Sequence, residues 1–120
     1  MLIEILKPDF VFNDERGSIV QLVHEGYSQV NTVFTKKGAI RGNMHYHAEN
    51  RELFYIIFGE IRLTVKSGET IEEYTFGAGD AFLVKSGVRH SFEFLEDTQL
   101  IGLYDKGVEL EGGGKDILTD

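Results

Sequence analysis

Turn-forming residues interrupt this chain so often that no helix of ordinary length fits between them. Fourteen of the 120 residues are glycine and only one is proline, and the glycines separate short apolar segments of about four to eight residues. One such segment, Ile61–Lys66, alternates apolar and polar side chains, which is the period of a strand with one buried face. No helical period is sustained up to Tyr104. The pattern therefore predicts an all-β fold, an antiparallel sandwich or barrel of about ten strands.

Composition limits the class of protein. With 120 residues, 42% of them hydrophobic, the chain is expected to form one domain around one core. It has no cysteine, which rules out disulfides and thiolate ligands and fits a cytoplasmic location. A net charge of −8 argues against a nucleic-acid partner, and no segment approaches the ~20 apolar residues of a membrane span. We expect residues 1–105 to form the β-structure, and residues 106–120 to be a short C-terminal tail, either mobile or a small terminal element.

Three of the four histidines and one glutamate form the most informative pattern in the chain. His45 and His47 are two residues apart, so on a strand both side chains point to the same face. Glu52 opens the next apolar segment, and His90 stands in a similar setting further along the chain. In both segments the alternate residues that follow are apolar, so each segment brings one polar side chain to the same end of the interior. Together these residues would hold one ion with one or two coordination positions left open.

A lone histidine is more often a packed polar side chain at a strand end than a metal ligand. Here that interpretation would have to explain four matching positions, which favours a metal site. Imidazole suits zinc, copper, iron and nickel, and a carboxylate extends the range toward manganese. We therefore expect one divalent ion, Zn, Mn, Fe or Ni, and the sequence does not indicate which. The fourth histidine, His24, is expected to be structural.

Two spaced patterns carry a resemblance to a known family. The first is His45-x-His47-x4-Glu52-x6-Gly59, and the second is Gly79-x5-Lys85-x-Gly87-x2-His90. They resemble the two sequence motifs of the cupins, although Lys85 stands where proline is usual and Phe94 where asparagine is usual. The resemblance implies an antiparallel double-stranded β-helix, or jelly-roll barrel, with His45, His47, Glu52 and His90 as metal ligands.

The first half of the chain carries a second resemblance. The segments Phe12-x-Asp14-Glu-Arg16-Gly17-Ser and Lys37-Gly38-Ala-Ile-Arg41-Gly42 are similar to those of the dTDP-4-keto-6-deoxysugar 3,5-epimerases and 3,4-ketoisomerases. The pairing of an Arg-Gly dipeptide with His-x-His is closer still to the metal-binding cupin domains of bifunctional capsular-sugar enzymes. The resemblance implies that Arg41 binds an anionic part of a nucleotide-sugar. We expect Arg89 to bind substrate as well, as part of a basic mouth on an acidic protein.

The two resemblances conflict over His45. The sugar enzymes use the histidine that follows Arg-Gly as a base, with one residue between, whereas Asn43 and Met44 separate Gly42 from His45 here. A histidine that donates its lone pair to a metal cannot also accept a proton from a sugar carbon. If His45 is a ligand, the catalytic candidates are Tyr104 and Glu52.

These observations predict a metal-binding cupin that acts as an isomerase or epimerase on a nucleotide-linked keto sugar in polysaccharide biosynthesis. One alternative is an Fe(II)-dependent cupin dioxygenase that uses the open coordination positions. Another is a cupin that binds a small ligand without catalysis. The Arg16-Gly17 and Arg41-Gly42 pairs favour the sugar substrate, while the ligand set favours metal chemistry in general.

The segment Leu53–Phe58 is apolar on both faces, unlike Ile61–Lys66. Parity with Glu52 directs Phe54, Ile56 and Phe58 inward, and their three neighbours outward. The outward row is covered either by N-terminal strands of the same chain or by a second chain. We expect a two-fold homodimer, which the cupin resemblance also implies, with Leu2–Asn13 contributing to the interface.

Overall fold

The computed structural model describes residues 1–109 and 113–119, and every regular element among them is a strand. Strand formation follows the short alternating segments, and the turns between strands carry many of the glycines. No helix among these residues is long and apolar enough to cross a membrane. The strands are β1 (Ile3–Leu6), β2 (Phe10–Asp14), β3 (Gly17–Gln21), β4 (Gln29–Thr35), β5 (Ile40–His45), β6 (Glu52–Phe58), β7 (Glu60–Ser67), β8 (Thr70–Gly77), β9 (Ala81–Val84), β10 (Arg89–Phe94) and β11 (Thr98–Tyr104).

The strands form two larger antiparallel sheets and a separate hairpin. The five-stranded sheet has the order β1-β9-β6-β11-β4, the four-stranded sheet has the order β5-β10-β7-β8, and β2 pairs only with β3. Buried side chains from both larger sheets form one hydrophobic cluster, with Phe82, Ile56 and Leu100 from the first sheet. Leu63 and Phe94 come from the second sheet. The arrangement is the antiparallel jelly roll that the sequence predicted.

Side-chain parity holds along the two strands that carry Glu52 and His90. On β6, Phe54 and Ile56 are buried beside Glu52, and on β10, Phe92 and Phe94 are buried beside His90. Each strand therefore brings one polar side chain into an otherwise apolar interior. This part of the sequence prediction is confirmed.

The inward orientation predicted for Phe58 is wrong. The pairing of β11 with β6 shifts between Gln99 and Leu100, so that Leu100 lies opposite Ile56 but Gln99 lies opposite Phe58. Ile57 is the extra residue of this bulge, and it reverses the direction of the side chain that follows. Phe58 is 47% exposed as a result, and its ring lies 6.4 Å from that of Phe34, also exposed.

A second irregularity lies just before His45. The pairing of β10 with β5 shifts after His90, which lies opposite His45. Gly42, Asn43 and Met44 have φ angles of 91°, 44° and 61°, in the left-handed region that non-glycine residues rarely adopt. This bulge accommodates the additional residue between Gly42 and His45, and it keeps His45 and His90 opposite each other in the strand pair.

The outer face of the five-stranded sheet is covered partly by the chain itself. Leu53, Leu83 and Leu103 are buried there. The partly buried residues that pack on them include Leu22 and Tyr27, from the connection between β3 and β4. Of the two alternatives for this surface, the chain's own N-terminal half therefore covers the Leu53 end, whereas Ile57 and Phe58 stay exposed.

The N-terminal arm, residues 10–21, is the β2–β3 hairpin. Its strands pair over five residues each, with Phe10 opposite Gln21 and Asp14 opposite Gly17. Four large apolar side chains of the arm are between 44% and 64% exposed: Phe10, Val11, Phe12 and Ile19. The arm thus presents an apolar surface that the described residues leave exposed.

The C-terminal strap, residues 113–119, is the part of the tail that the structure describes beyond residue 109. Tyr46 and Leu118 form an isolated antiparallel bridge, in which each backbone N–H donates to the other's carbonyl at 2.9 Å. The N–H of Asp116 donates to the carbonyl of Val108. The described part of the tail is therefore a small terminal element docked against the segment that follows β5, while residues 110–112 and 120 lie outside the described residues.

Candidate metal centre

Three histidine side chains converge at one end of the space between the two sheets. One ring nitrogen from each of His45, His47 and His90 lies within 4.8 Å of the other two. The ring centroids are 4.9 Å apart for His45 and His47, and 4.4 Å apart for His45 and His90. The strand parity and the pairing of β5 with β10 together account for this convergence.

Backbone carbonyls hold the imidazoles. His47 Nδ1 lies 2.5 Å from the carbonyl oxygen of Asp116, and His90 Nδ1 lies 3.4 Å from that of Val88. Because a carbonyl can only accept, each Nδ1 carries the proton and each Nε2 keeps its lone pair. In His47 and His90 the nitrogen on the cluster side is therefore the one that can bind a metal.

Glu52 completes the cluster from β6. Its Oε1 lies 3.2 Å from His47 Nε2 and 3.9 Å from His90 Nε2, and the residue is 5% exposed. The other carboxylate oxygen occupies space that Gly102 leaves open, since a Cβ at that position would lie 3.0 Å from Oε2. The ring of Tyr104 stands edge-on to that of His47, with centroids 5.1 Å apart.

Burial controls the protonation of these groups. It lowers the pKa of His90 to about 3 and, together with the charge of His47, lowers the pKa of His45. Burial alone would lower the pKa of His47 as well, but Glu52 and Asp116 outweigh it and raise that pKa. Burial raises the pKa of Glu52, which the nearby His47 imidazole only partly offsets. His45 and His90 are thus held neutral, the form that binds a metal.

The site opens into a cavity of about 120 Å³ between the sheets. Its lining includes the polar residues Arg41, His45, Glu52, His90 and Tyr104, together with three phenylalanines. Arg41 is exposed, and its Nε donates to the hydroxyl of Thr35 at 2.7 Å. An anionic group entering this cavity would therefore meet a guanidinium at the wall and the histidine cluster beyond it.

Arg89, the second arginine expected at the mouth, lies elsewhere. It precedes His90 on β10, so its side chain leaves the opposite face of the strand. Its guanidinium carbon lies 4.6 Å from the centroid of the Tyr46 ring, and Nη1 donates to the carbonyl of Met44 at 3.3 Å. The structure brings the four expected ligands, Tyr104 and Arg41 together, and leaves Arg89 outside the cavity wall.

Asp116 and Asn50 contact this site from positions that no sequence motif indicated. Both are buried, and Asp116 holds the turn after His47 through its carboxylate while its carbonyl contacts the His47 ring. Burial would raise the pKa of Asp116, but hydrogen bonds from Asn50 and from the amides of residues 48–50 lower it. The partners are separated by more than 65 residues, so no local spacing relates them.

The residues present fit a divalent ion. Among the described residues, His47 Nε2 is a buried side-chain nitrogen without a hydrogen-bond partner, since its approach to Glu52 lacks hydrogen-bond geometry. Such a nitrogen is costly to bury unless something else binds its lone pair. Two further neutral imidazoles and a carboxylate face the same point, which is the donor set of zinc, manganese, iron or nickel.

Comparison with protein families gives one match, and comparison with curated proteins gives none. A family model described as a cupin domain matches residues 31–103, more than half of the chain. That span contains all four expected ligands and both histidine motifs.

Solved structures with the same fold include several sugar-modifying enzymes. A 3,4-ketoisomerase from Helicobacter canadensis has a TM-score of 0.82 at 18% identity, covering 100% of this chain and 92% of that chain. A mutant of the 3,4-ketoisomerase QdtA from Thermoanaerobacterium thermosaccharolyticum, in complex with TDP-4-keto-6-deoxyglucose, has a TM-score of 0.80 at 14% identity, covering 99% and 88%. A dTDP-4-dehydrorhamnose 3,5-epimerase from Bacillus anthracis, with TDP and PPi bound, has a TM-score of 0.70 at 20% identity, covering 86% and 71%. At these identities the similarity establishes a shared fold.

Proposed function

The chain belongs to the cupin family, and from this premise we propose that it is a metal-dependent isomerase or epimerase of a nucleotide-linked keto sugar. The pathway we propose for it is polysaccharide biosynthesis. One observation carries the proposal: three histidines and a glutamate converge on one point, and His45, Glu52 and His90 of that cluster line a cavity together with Arg41. The similar folds of a 3,4-ketoisomerase in complex with TDP-4-keto-6-deoxyglucose and of a dTDP-4-dehydrorhamnose 3,5-epimerase support the choice of substrate class.

The proposed ligands are His45, His47, Glu52 and His90, which would hold one divalent ion. A bound ion of this kind supplies Lewis-acid polarisation of a carbonyl oxygen, which makes the neighbouring C–H bond more acidic. The chain's own contribution is to keep His45 and His90 neutral by burial, and to orient His47 and His90 by backbone carbonyls. Neither feature requires the ion to be present, so the site is preorganised.

Arg41 is the proposed contact for the anionic part of the substrate. A cavity of about 120 Å³ is smaller than the ~300–1,000 Å³ of typical ligand pockets. We therefore assign to it only the reacting sugar ring, with the nucleotide lying outside along the exposed side of Arg41. A guanidinium at that point would bind a phosphate through charge-assisted hydrogen bonds.

Glu52 and Tyr104 are the proposed proton-transfer groups. Burial and the Glu52 carboxylate raise the pKa of Tyr104, so this hydroxyl stays protonated and acts only as a donor. Without a bound ion, burial raises the pKa of Glu52 and makes this carboxyl a better proton acceptor than an exposed glutamate. In an epimerisation, a proton leaves the carbon beside the keto group and returns to the opposite face of the same carbon. In a ketoisomerisation, it returns to the former keto carbon, while the hydroxyl proton of the first carbon passes to the former keto oxygen.

Metal content and isotope exchange test the proposal. Protein purified without a metal-affinity tag should carry about one divalent ion per chain, and chelation should lower its melting temperature. With a nucleotide-linked 4-keto sugar in deuterated water, the protein should incorporate deuterium next to the keto group. Two results would contradict the proposal. The first is protein that contains no metal and whose melting temperature does not change on chelation. The second is the absence of deuterium exchange with several such sugars.

The two arginines form a matched pair for the substrate assignment. Arg41→Ala removes the guanidinium at the cavity wall, whereas Arg89→Ala removes one that lies over Tyr46. Binding of the nucleotide-sugar should weaken at least tenfold in Arg41→Ala, because an anion contact is lost, while binding of the neutral sugar changes little. Equal losses in both variants would show that Arg89 also reaches the substrate, as the sequence had indicated.

We also propose a homodimer in which the N-terminal arm contributes to the interface. A two-stranded hairpin is marginally stable in water on its own, and this one exposes Phe10, Phe12 and Ile19. Ile57 and Phe58 add a second exposed apolar surface, on the five-stranded sheet. Light scattering should give twice the mass of one chain, and Ile19→Ser should shift the equilibrium toward single chains. A wild-type mass of one chain at micromolar concentration would contradict the dimer.

A further inference from the structure

The C-terminal strap, residues 113–119, contacts the segment around His47 on both sides. Before His47, Tyr46 exchanges two backbone hydrogen bonds with Leu118. After it, the Asp116 carboxylate accepts hydrogen bonds from the N–H groups of residues 48, 49 and 50 at 2.8 Å, 2.9 Å and 3.0 Å. The strap therefore fixes the backbone that carries one proposed ligand, although it lies more than 60 residues away in sequence.

Asp116 contacts the ring as well as the backbone. Its carbonyl oxygen lies 2.5 Å from His47 Nδ1, and the residue is 2% exposed. The amide of Asn50 adds a fourth hydrogen bond to the carboxylate, Nδ2 to Oδ2 at 2.8 Å. Four donors on one buried carboxylate leave the Asp116 backbone little freedom to move, so its carbonyl stays where the ring needs it.

We propose that Asp116 is a positioning residue for the metal centre, and that docking of the strap and binding of the metal strengthen each other. The carbonyl of Asp116 selects the tautomer of His47 with the proton on Nδ1 and directs the Nε2 lone pair toward the cluster. When the strap is undocked, the ring is free to take the other tautomer and to rotate. The inference rests on the proposed metal site, and it goes beyond that site in assigning a role to the C-terminal segment.

Thermodynamic linkage requires strap docking and metal binding to strengthen each other equally. If docking of the strap strengthens metal binding by a given factor, metal binding strengthens docking by the same factor. Groups that orient a ligand in this way typically contribute ten- to hundredfold to metal affinity. Adding Zn²⁺ should therefore slow hydrogen exchange at the amides of Leu118 and Tyr46, which form the bridge to the strap.

The test compares Asp116→Ala with Asp97→Ala. Asp97 also accepts a backbone hydrogen bond, from Lys37 at 2.8 Å, but it lies in the turn before β11, away from the histidines. Competition titration with Zn²⁺ should show about ten- to hundredfold weaker binding in Asp116→Ala and wild-type affinity in Asp97→Ala. Nitrogen-15 NMR of the metal-free protein should show the Nδ1–H tautomer of His47 in wild type and a mixture of tautomers in Asp116→Ala.

Each outcome decides the inference. Wild-type Zn²⁺ affinity with an unchanged His47 tautomer in Asp116→Ala would overturn it, whereas failure of the wild-type protein to bind Zn²⁺ would overturn the metal site itself. If Asp116→Ala does not fold, Asp116→Asn keeps the volume of the side chain and weakens the acceptor. Two measurements on the wild-type protein test the proposal without any variant. An Nε2–H tautomer of His47 in the metal-free protein would refute it, and so would a rate of hydrogen exchange at the Leu118 amide that Zn²⁺ does not change.

Discussion

Gly42→Ala is expected to damage both stability and metal binding, because position 42 has no room for a side chain. Its φ is 91°, and a Cβ there would lie 2.9 Å from the carbonyl oxygen of His90 and 3.3 Å from the Cα of Ser91. Both contacts are to backbone, so a side-chain rotation cannot relieve them. The bulge or β10 has to move, and His90 moves with it.

Gly38→Ala is the control that separates the cost of the left-handed backbone from the cost of the steric clash. Gly38 has a φ of 89° but nothing within 4 Å of its Cβ position, so alanine there adds only the left-handed backbone cost, about 1–2 kcal/mol. Gly42→Ala adds an overpacking cost of about 1–3 kcal/mol to the same backbone cost. The expected losses in the free energy of unfolding are therefore about 1–2 kcal/mol for Gly38→Ala and about 2–5 kcal/mol for Gly42→Ala.

Urea unfolding in the presence of a chelator measures these losses, and competition titration with Zn²⁺ measures the displacement of His90. A shift that costs about 1.4 kcal/mol at the ligand weakens binding tenfold, so Gly42→Ala should bind Zn²⁺ at least tenfold more weakly than Gly38→Ala. If both variants lose the same stability and keep the same affinity, the close approach between the bulge and β10 does not constrain the site. That result would refute the reasoning.

Three further outcomes follow from features of the same region. Met44→Gly relieves a φ of 61° and should raise the free energy of unfolding by up to about 1 kcal/mol in thermal unfolding; a loss of stability would show that the Met44 side chain matters more than its backbone. In the presence of chelator, the free energy of unfolding of the wild type should fall by about 2 kcal/mol between pH 7 and pH 5 on account of His90. The reason is that burial lowers the pKa of His90 to about 3 in the folded protein, whereas the unfolded chain takes up this proton near pH 6.5. His90→Gln should remove that part of the slope in urea unfolding, and an unchanged slope would mean that His90 titrates normally. Asn50→Ala removes four hydrogen bonds of a side chain in a residue that is 1% exposed, so it should lower the free energy of unfolding by more than about 1 kcal/mol in urea unfolding. A loss of less than about 1 kcal/mol would show that water replaces these hydrogen bonds.

Much of the fold follows from local sequence. The apolar segment that Glu52 opens is β6, and the alternating segment Ile61–Lys66 forms all of β7 except one residue at each end. These boundaries are readable because glycine and charged turn residues stand directly beside short apolar segments. The convergence of His45 and His47 with Glu52 and His90 is also local in origin, since parity along each strand determines which side chains face inward.

The errors arise where the strands depart from regular pairing. Phe58 has the parity of an inward residue, but the bulge at Ile57 reverses it, and nothing in the sequence of β6 marks that position. The sequence comparison showed that two residues, Asn43 and Met44, separate Gly42 from His45 where the sugar enzymes have one. It did not indicate that these residues form a left-handed bulge.

The part played by Asp116 could not be predicted, for a different reason. Its partners, His47 and Asn50, are far away in sequence, and an aspartate near a glycine-rich segment is ordinarily a turn residue. The pairing of Leu118 with Tyr46, far apart in sequence, brings it to the site.

The order of strands in the five-stranded sheet has a consequence for how the chain reaches its folded state. None of its neighbouring strands are consecutive in sequence, and within the described residues only the pairs β2–β3 and β7–β8 join strands that follow each other directly. Pairing over such separations is slow, because the entropy of closing long loops opposes it before contacts form. During synthesis, β1 cannot pair until β9 has left the ribosome, and β4 cannot pair until β11 has done so. Of the first-half strands, β1, β4, β5 and β6 therefore stay unpaired until strands from β9 onward have been made, and exposed strand edges are prone to aggregate during that interval.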